Sequence, residues 1–179
     1  TKLAPVGEVR QPADLGRVNW AQLPVVPGWG GLSGDPARRE MTTRLGHDGR
    51  YLLVEFTEAV KTAALTASQD VWSGDDFELF FATSRDAREY HQLCVSPKGT
   101  LAGLAWTVAP RDSQDWASGA VVASDTSAAN RWVLRVALPL DKLLPGGQPP
   151  AGKLYANFYR HSPGDGDLLA WQPTFAGGF

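Results

Sequence analysis

From Met41 onward, apolar and polar residues alternate in short runs broken by turn residues, a period of two that predicts strands. MTTRLG and RYLLVEF flank His47-Asp48-Gly49, where Asp-Gly marks a hairpin turn. DFELFFA follows, then EYHQLCV, joined to TLAGLAW through Ser96-Pro97-Lys98-Gly99. GAVVAS, RWVLRVALP, KLYANFYR and a short LLAWQP complete the series. Within DFELFFA the alternation sends Phe77, Leu79 and Phe81 to one face and Asp76, Glu78 and Phe80 to the other. The polar stretch around Arg111 to Ser118 reads as a connection.

Only PLDKLL has a helical pattern, opening at Pro139 and ending before Pro145. The first forty residues, including the Pro- and Gly-dense LPVVPGWGGLSGDP, read as an irregular segment that wraps the body with short extended pieces. Many short strands and almost no helix predict an all-β fold, an antiparallel, jelly-roll-like β-sandwich with one short helical turn. No repeat or domain-sized linker interrupts the pattern, so residues 1–179 read as one domain.

Composition narrows the function. A chain of this length buries roughly two-thirds of its unfolded surface, enough for a real core. The formal net charge is -2 and there is no Lys/Arg run, which argues against nucleic acid or an anionic membrane as partner. No apolar segment approaches the ~20 residues of a membrane span. The single cysteine, Cys94, excludes an internal disulfide. Lying between Leu93 and Val95 in an alternating run, it reads as a buried, inert thiol.

The candidate chemistry centres on VWSGDDFELFF, where a Trp-Ser-Gly turn at Trp72 feeds a strand of alternating carboxylates and aromatics. A flat ring covers the apolar face of a pyranose, and a carboxylate beside it accepts hydrogen bonds from the hydroxyls. A buried Trp72 with a solvated Glu78 is the purely structural alternative. Catalysis is disfavoured: Asp76 and Glu78 project from one strand face about 7 Å apart, whereas a glycosidase places its acid pair on opposite sides of the scissile bond. His47, His91 and His161 are scattered and lack metal-ligand spacing.

Of the seven tryptophans, Trp132 heads an apolar strand face and is expected in the core. Trp29 and Trp106 fit either core or ligand surface. Trp116, among polar neighbours, reads as an extra ligand platform or as a cover for the sandwich edge.

Six pieces in order, spread from about Trp20 to Trp171, resemble the family 9 carbohydrate-binding modules, a β-sandwich group attached to secreted glycan-processing proteins. They are Trp20, TTRLGHDGRYLLVEF, VWSGDDFELFF, YHQLCVSPKG, RWVLRVALPLDKL, and GKLYANFYR followed by AWQP. The chain departs from the family pattern at Arg135, where an acidic residue is usual, and at Ser96, where Asn is common.

The resemblance implies sugar binding without catalysis. Trp72 and Trp171 would form two aromatic walls whose indole faces stand roughly 7–8 Å apart, two ring-stacking distances. Glu78 would accept from hydroxyls and Arg160 would donate to them. Gln92 would add an amide, and Asn157 would be either a further ligand or a structural amide. Asn157 and Arg160 alternate onto opposite faces of a regular strand, so both could reach the sugar only across a bulge. Trp20 would be core.

The resemblance further implies an oligosaccharide or polysaccharide as partner, covalently linked catalytic or other domains, export from the cell, and a possible calcium ion with no residues assigned. Two alternatives follow from the same fold. One is a structural accessory sandwich without a sugar site. The other is a haem domain using Met41 with His91 or His161 as axial ligands.

Overall fold

The computed structural model describes residues 1–108, 111–144 and 153–175. The strands are β1 (Val25–Val26), β2 (Gly30–Gly31), β3 (Met41–His47), β4 (Tyr51–Glu58), β5 (Asp76–Ala82) and β6 (Glu89–Val95). They continue with β7 (Leu101–Val108), β8 (Arg111–Asp115), β9 (Val121–Ala128), β10 (Arg131–Pro139), β11 (Tyr155–Ser162) and β12 (Asp167–Ala170). They form two sheets, one of five strands in the order β1-β3-β4-β10-β9 and one of seven in the order β2-β12-β11-β5-β6-β7-β8. The ladders are antiparallel. The all-β sandwich expected from alternation is the observed fold.

Its core is built from the predicted faces. Phe77, Leu79 and Phe81 of β5 meet Leu52, Val54 and Phe56 of β4 and Trp132, Leu134 and Val136 of β10. Phe56 and Phe77, from opposite sheets, stack at 4.6 Å with planes 7° apart, and Phe77 lies 4.8 Å from Trp132.

The β3–β4 hairpin turns where Asp-Gly predicted it. Asp48 accepts from the backbone N–H groups of Arg50 and Tyr51, and Gly49 takes φ +98°. The helical pattern of PLDKLL becomes one turn, α1 (Leu140–Leu143). Pro145, to which the stop was assigned, lies outside the described residues.

The N-terminal segment wraps as expected, with a consequence for the site. Leu3, Val9, Leu15, Val18, Trp20 and Leu23 pack on Tyr51, Leu53 and Ala137, the side of the five-stranded sheet turned away from the core. The continuous apolar run YLLVEF needs such a cover, because both of its faces are buried. The segment is less irregular than its composition suggests, since Pro12–Arg17 and Trp20–Gln22 form 3₁₀ turns.

One strand departs from the sequence reading. Arg111–Asp115, read as a connection, pairs with β7 as the edge strand β8. Its ladder is held by backbone groups, and the strand carries no apolar face for alternation to reveal.

Candidate functional site

The sequence-selected residues of β5 and β6 lie on the outer face of the seven-stranded sheet, where Glu78 and Gln92 are buried. Strand register sets its occupants. Glu78 and Phe80 of β5 stand beside Cys94 and Gln92 of β6, and Tyr90 of β6 stands beside Trp106 of β7. On the other flank, Tyr159 of β11 lies opposite Glu78.

These side chains form one polar chain and one aromatic cluster. Gln92 donates from Nε2 to Glu78 Oε2, and its Oε1 accepts from Trp106 Nε1 at 2.7 Å. Tyr90 and Trp106 lie with ring planes 14° apart and centroids 6.0 Å apart, and the Arg111 guanidinium stands over Trp106 at 5.2 Å. Phe80 approaches Tyr90 at 6.1 Å and Tyr159 edge-on at 5.1 Å. Beside them opens a hollow of about 260 Å³ lined by Phe80, Ala82, Ala87, Tyr90, Tyr155 and Tyr159, among others.

Burial tunes the acids. Glu78 is pushed up to about 7 by loss of solvent, partly offset by the hydrogen bond from Gln92. Asp76 is pushed up to about 8 by the same burial and by Glu78 on its own face. Neither oxygen of Asp76 has a hydrogen-bond partner, and His161 Nδ1 stands 3.5 Å away. Cys94 is fully buried and its thiol is held up strongly by desolvation, as expected of an inert cysteine.

Four of the six residues named from sequence lie on or beside this face. Glu78 and Gln92 are bonded to each other. Trp72 is half-buried in a 3₁₀ turn (Val71–Ser73) that leads into β5, its N–H bound by Asp70. The carbonyl of Val71 in the same turn receives the thiol of Cys94, which ties the turn to the outer face.

A fourth, Asn157, lies opposite Phe80 on that face, and the remaining two are placed elsewhere. Arg160 is 0% exposed and points between the sheets. Its Nε donates to Glu58 Oε2 and its second terminal nitrogen to Asp75 Oδ1, each at 2.8 Å, and the first bonds the carbonyl of His161. The expectation that it donates to sugar is corrected on this ground: strand parity turns it into the core, and its donors are engaged there.

Trp171 has the same inward parity. It lies against Phe158 of the core at 5.3 Å and donates its indole N–H to Pro27 O at 2.7 Å. It therefore does not stand across the outer face as the second wall of a sandwich. Asn157 is the structural amide of its two alternatives, with Oδ1 accepting from the N–H of Phe158 and of Gln172 and Nδ2 donating to Gln172 O.

Trp116 takes its edge-covering alternative. It packs against the core and His91 (4.3 Å), and its backbone N–H reaches Gly103 O at 2.8 Å. A Cβ on Gly103 would stand 2.5 Å from Trp116 O, so only glycine permits that approach. Trp20 and Trp132 are core, while Trp29 is half-buried and donates to Thr43 Oγ1. Arg135, the departure on the Trp-led strand, pairs with Glu55 at 2.8 Å and lies over Trp20.

Sequence reasoning missed Tyr90, Tyr155 and Tyr159 and left Trp106 open. Tyr90 shares parity with Gln92, which was a usable signal, but its neighbour on β7 depends on register.

Among the described residues no three His, Cys, Asp or Glu side chains are gathered to hold a metal ion, so calcium is given no site. His91 and His161 point to opposite faces of the seven-stranded sheet, and Met41 packs from β3 against the core, which gives the haem alternative no support. Among the described residues no helix is long and apolar enough to cross a membrane.

No family model matches the chain, and no curated protein sequence matches it. Solved structures do. A candidate carbohydrate-binding protein from Bacteroides uniformis superposes with a TM-score of 0.72 at 16% identity, covering 99% of this chain and 90% of that one. A family 9 carbohydrate-binding module from Caldicellulosiruptor kristjanssonii in complex with glucose gives 0.54 at 12% identity, covering 88% and 83%. In complex with cellotriose it gives 0.55 at 13%, covering 88% and 82%. The chain therefore has the fold of these sugar-binding sandwiches.

Proposed function

We propose that this chain is a non-catalytic carbohydrate-binding domain whose site is the outer face of the seven-stranded sheet. The observation that carries the reading is the chain Glu78–Gln92–Trp106 beside the rings of Tyr90 and Phe80. A carboxylate and an amide select hydroxyls, and rings shield the apolar face of a pyranose. The fold shared with modules solved on glucose and cellotriose supports the same reading. Trp72 flanks the site. Asp76 and Glu78 share one strand face, which suits binding and not paired acid-base hydrolysis.

In this reading residues 1–179 act as one exported domain that holds an attached glycan-active protein at its substrate and so raises its effective concentration there. The test is a tryptophan-fluorescence titration against neutral and acidic oligosaccharides, repeated with Glu78→Gln and Trp106→Phe. Saturable binding weakened in both variants supports the reading. Binding unaffected by either would move the site elsewhere.

A second reading, a structural accessory sandwich, has one observation in its favour. Glu78 and Gln92 are 7% and 6% exposed and already bonded to each other. No response from folded protein across the panel would select it.

A further inference from the structure

The hollow next to the polar chain differs in chemistry from a sugar subsite. Its lining is aromatic and aliphatic with no charged side chain, its polar side-chain groups being the hydroxyls of Tyr90, Tyr155 and Tyr159 and the Asn157 amide, and Tyr155 at its rim is 37% exposed. The one amide in the lining, Asn157, is engaged with backbone groups of Phe158 and Gln172. A pyranose brings a hydroxyl on nearly every carbon, and each buried hydroxyl left without a partner is costly. The hollow, mostly ring and methyl surface with a few phenolic hydroxyls, therefore suits a flat, largely apolar group more than a pyranose.

Its rings also set a shape. Phe80 lies between Tyr90 and Tyr159, tilted 46° to one and 73° to the other, and a further flat ring extends such an edge-to-face array favourably. From the β5–β6 connection, Ala87 closes one side of the hollow at φ +44°, a left-handed conformation rare for a residue with a side chain.

Position links the hollow to the polar chain. Phe80 is two residues from Glu78 on one face of β5, and Tyr90 two from Gln92 on β6, a step of about 7 Å. A sugar held by Glu78 and Gln92 would thus direct a substituent on its ring or anomeric oxygen into the hollow.

Resting on the carbohydrate-binding reading above, we infer that this site takes glycans bearing an uncharged aromatic substituent, with the sugar at Glu78–Gln92 and the aromatic group in the hollow between Phe80, Tyr90 and Tyr155. Isothermal titration with paired methyl and phenyl β-glycosides of glucose, xylose, mannose and galactose tests it, using the parent chain and Tyr155→Ala. At least one phenyl glycoside should bind about tenfold or more tighter than its methyl partner, from burial of the ring. That ratio should fall toward one in Tyr155→Ala, which removes an exposed side chain and leaves the fold intact. Equal affinities within every pair that binds would overturn the inference and leave the sugar reading standing. Absence of binding by all eight glycosides and by the oligosaccharide panel would overturn both.

Discussion

Glu58 and Arg160 meet at 2.8 Å from facing sheets, and both side chains are fully buried. Around them Asp75 takes a second nitrogen of Arg160, and Arg39 joins Glu58 to Asp165 and Asp167 on the β11–β12 hairpin. Removing one member leaves a buried charge uncompensated, which typically costs ~3–5 kcal/mol. Arg160→Met should lower the thermal midpoint by roughly 10 °C or more, with the sugar affinity of the molecules that remain folded at the parent value. A stable variant that had lost affinity would return Arg160 to the binding site.

Sugar affinity should depend on pH through Glu78. Its carboxyl is pushed up to about 7 by burial, so it ionises across neutrality, and the ionised form is the stronger hydroxyl acceptor. Affinity should therefore rise as pH increases from about 6 to about 8 in the parent and stay flat in Glu78→Gln. Fluorescence titrations at several pH values decide this, and a flat parent profile would mean the carboxylate does not touch the sugar.

Stability should have the opposite pH dependence. Asp76 has an ordinary value of 3.8 and a folded value of about 8, so the folded chain holds a proton that the unfolded chain releases. Its contribution is fully present below pH 3.8 and is lost as pH rises through about 8, at up to ~1.4 kcal/mol per pH unit. Glu78 adds a loss of the same sign up to about 7. Asp76→Asn should flatten the fall in urea midpoint between pH 5 and 8 and be the more stable form at pH 8. Parallel curves for the two proteins would show that Asp76 is not buried as described.

Trp171 and Trp106 should separate stability from binding. Trp171→Ala removes a ring packed on Phe158 and a bond to Pro27, a loss of about 2–4 kcal/mol, with sugar binding retained. Trp106→Phe keeps a ring beside Tyr90 but leaves Gln92 Oε1 without its donor, and should weaken binding severalfold with a small stability change. Loss of binding in Trp171→Ala alone would restore the two-tryptophan sandwich.

Much of the fold was legible because alternation survives in single strands. Spacing alone put Phe77, Leu79 and Phe81 on one face of β5 and Glu78 on the other, and the structure turns the first face into the core. The same parity put Asn157 and Arg160 on opposite faces, and they are. The edge strand β8 was not legible, since Arg111–Asp115 has no apolar face to keep a period.

The local sequence determined the strands, their faces, the Asp-Gly hairpin and the neighbourhood of Trp72 and Glu78, because each depends on bonds and side chains only a few residues apart. Tertiary structure decided which partners those faces met. Register across β6 and β7 brought Trp106 to Gln92, and the arrival of β11 between β5 and β12 set Arg160 against Glu58, 102 positions away in the chain. Parity is a property of one strand, whereas a site needs the pairing of several, and pairing is fixed by the burial of the whole sandwich.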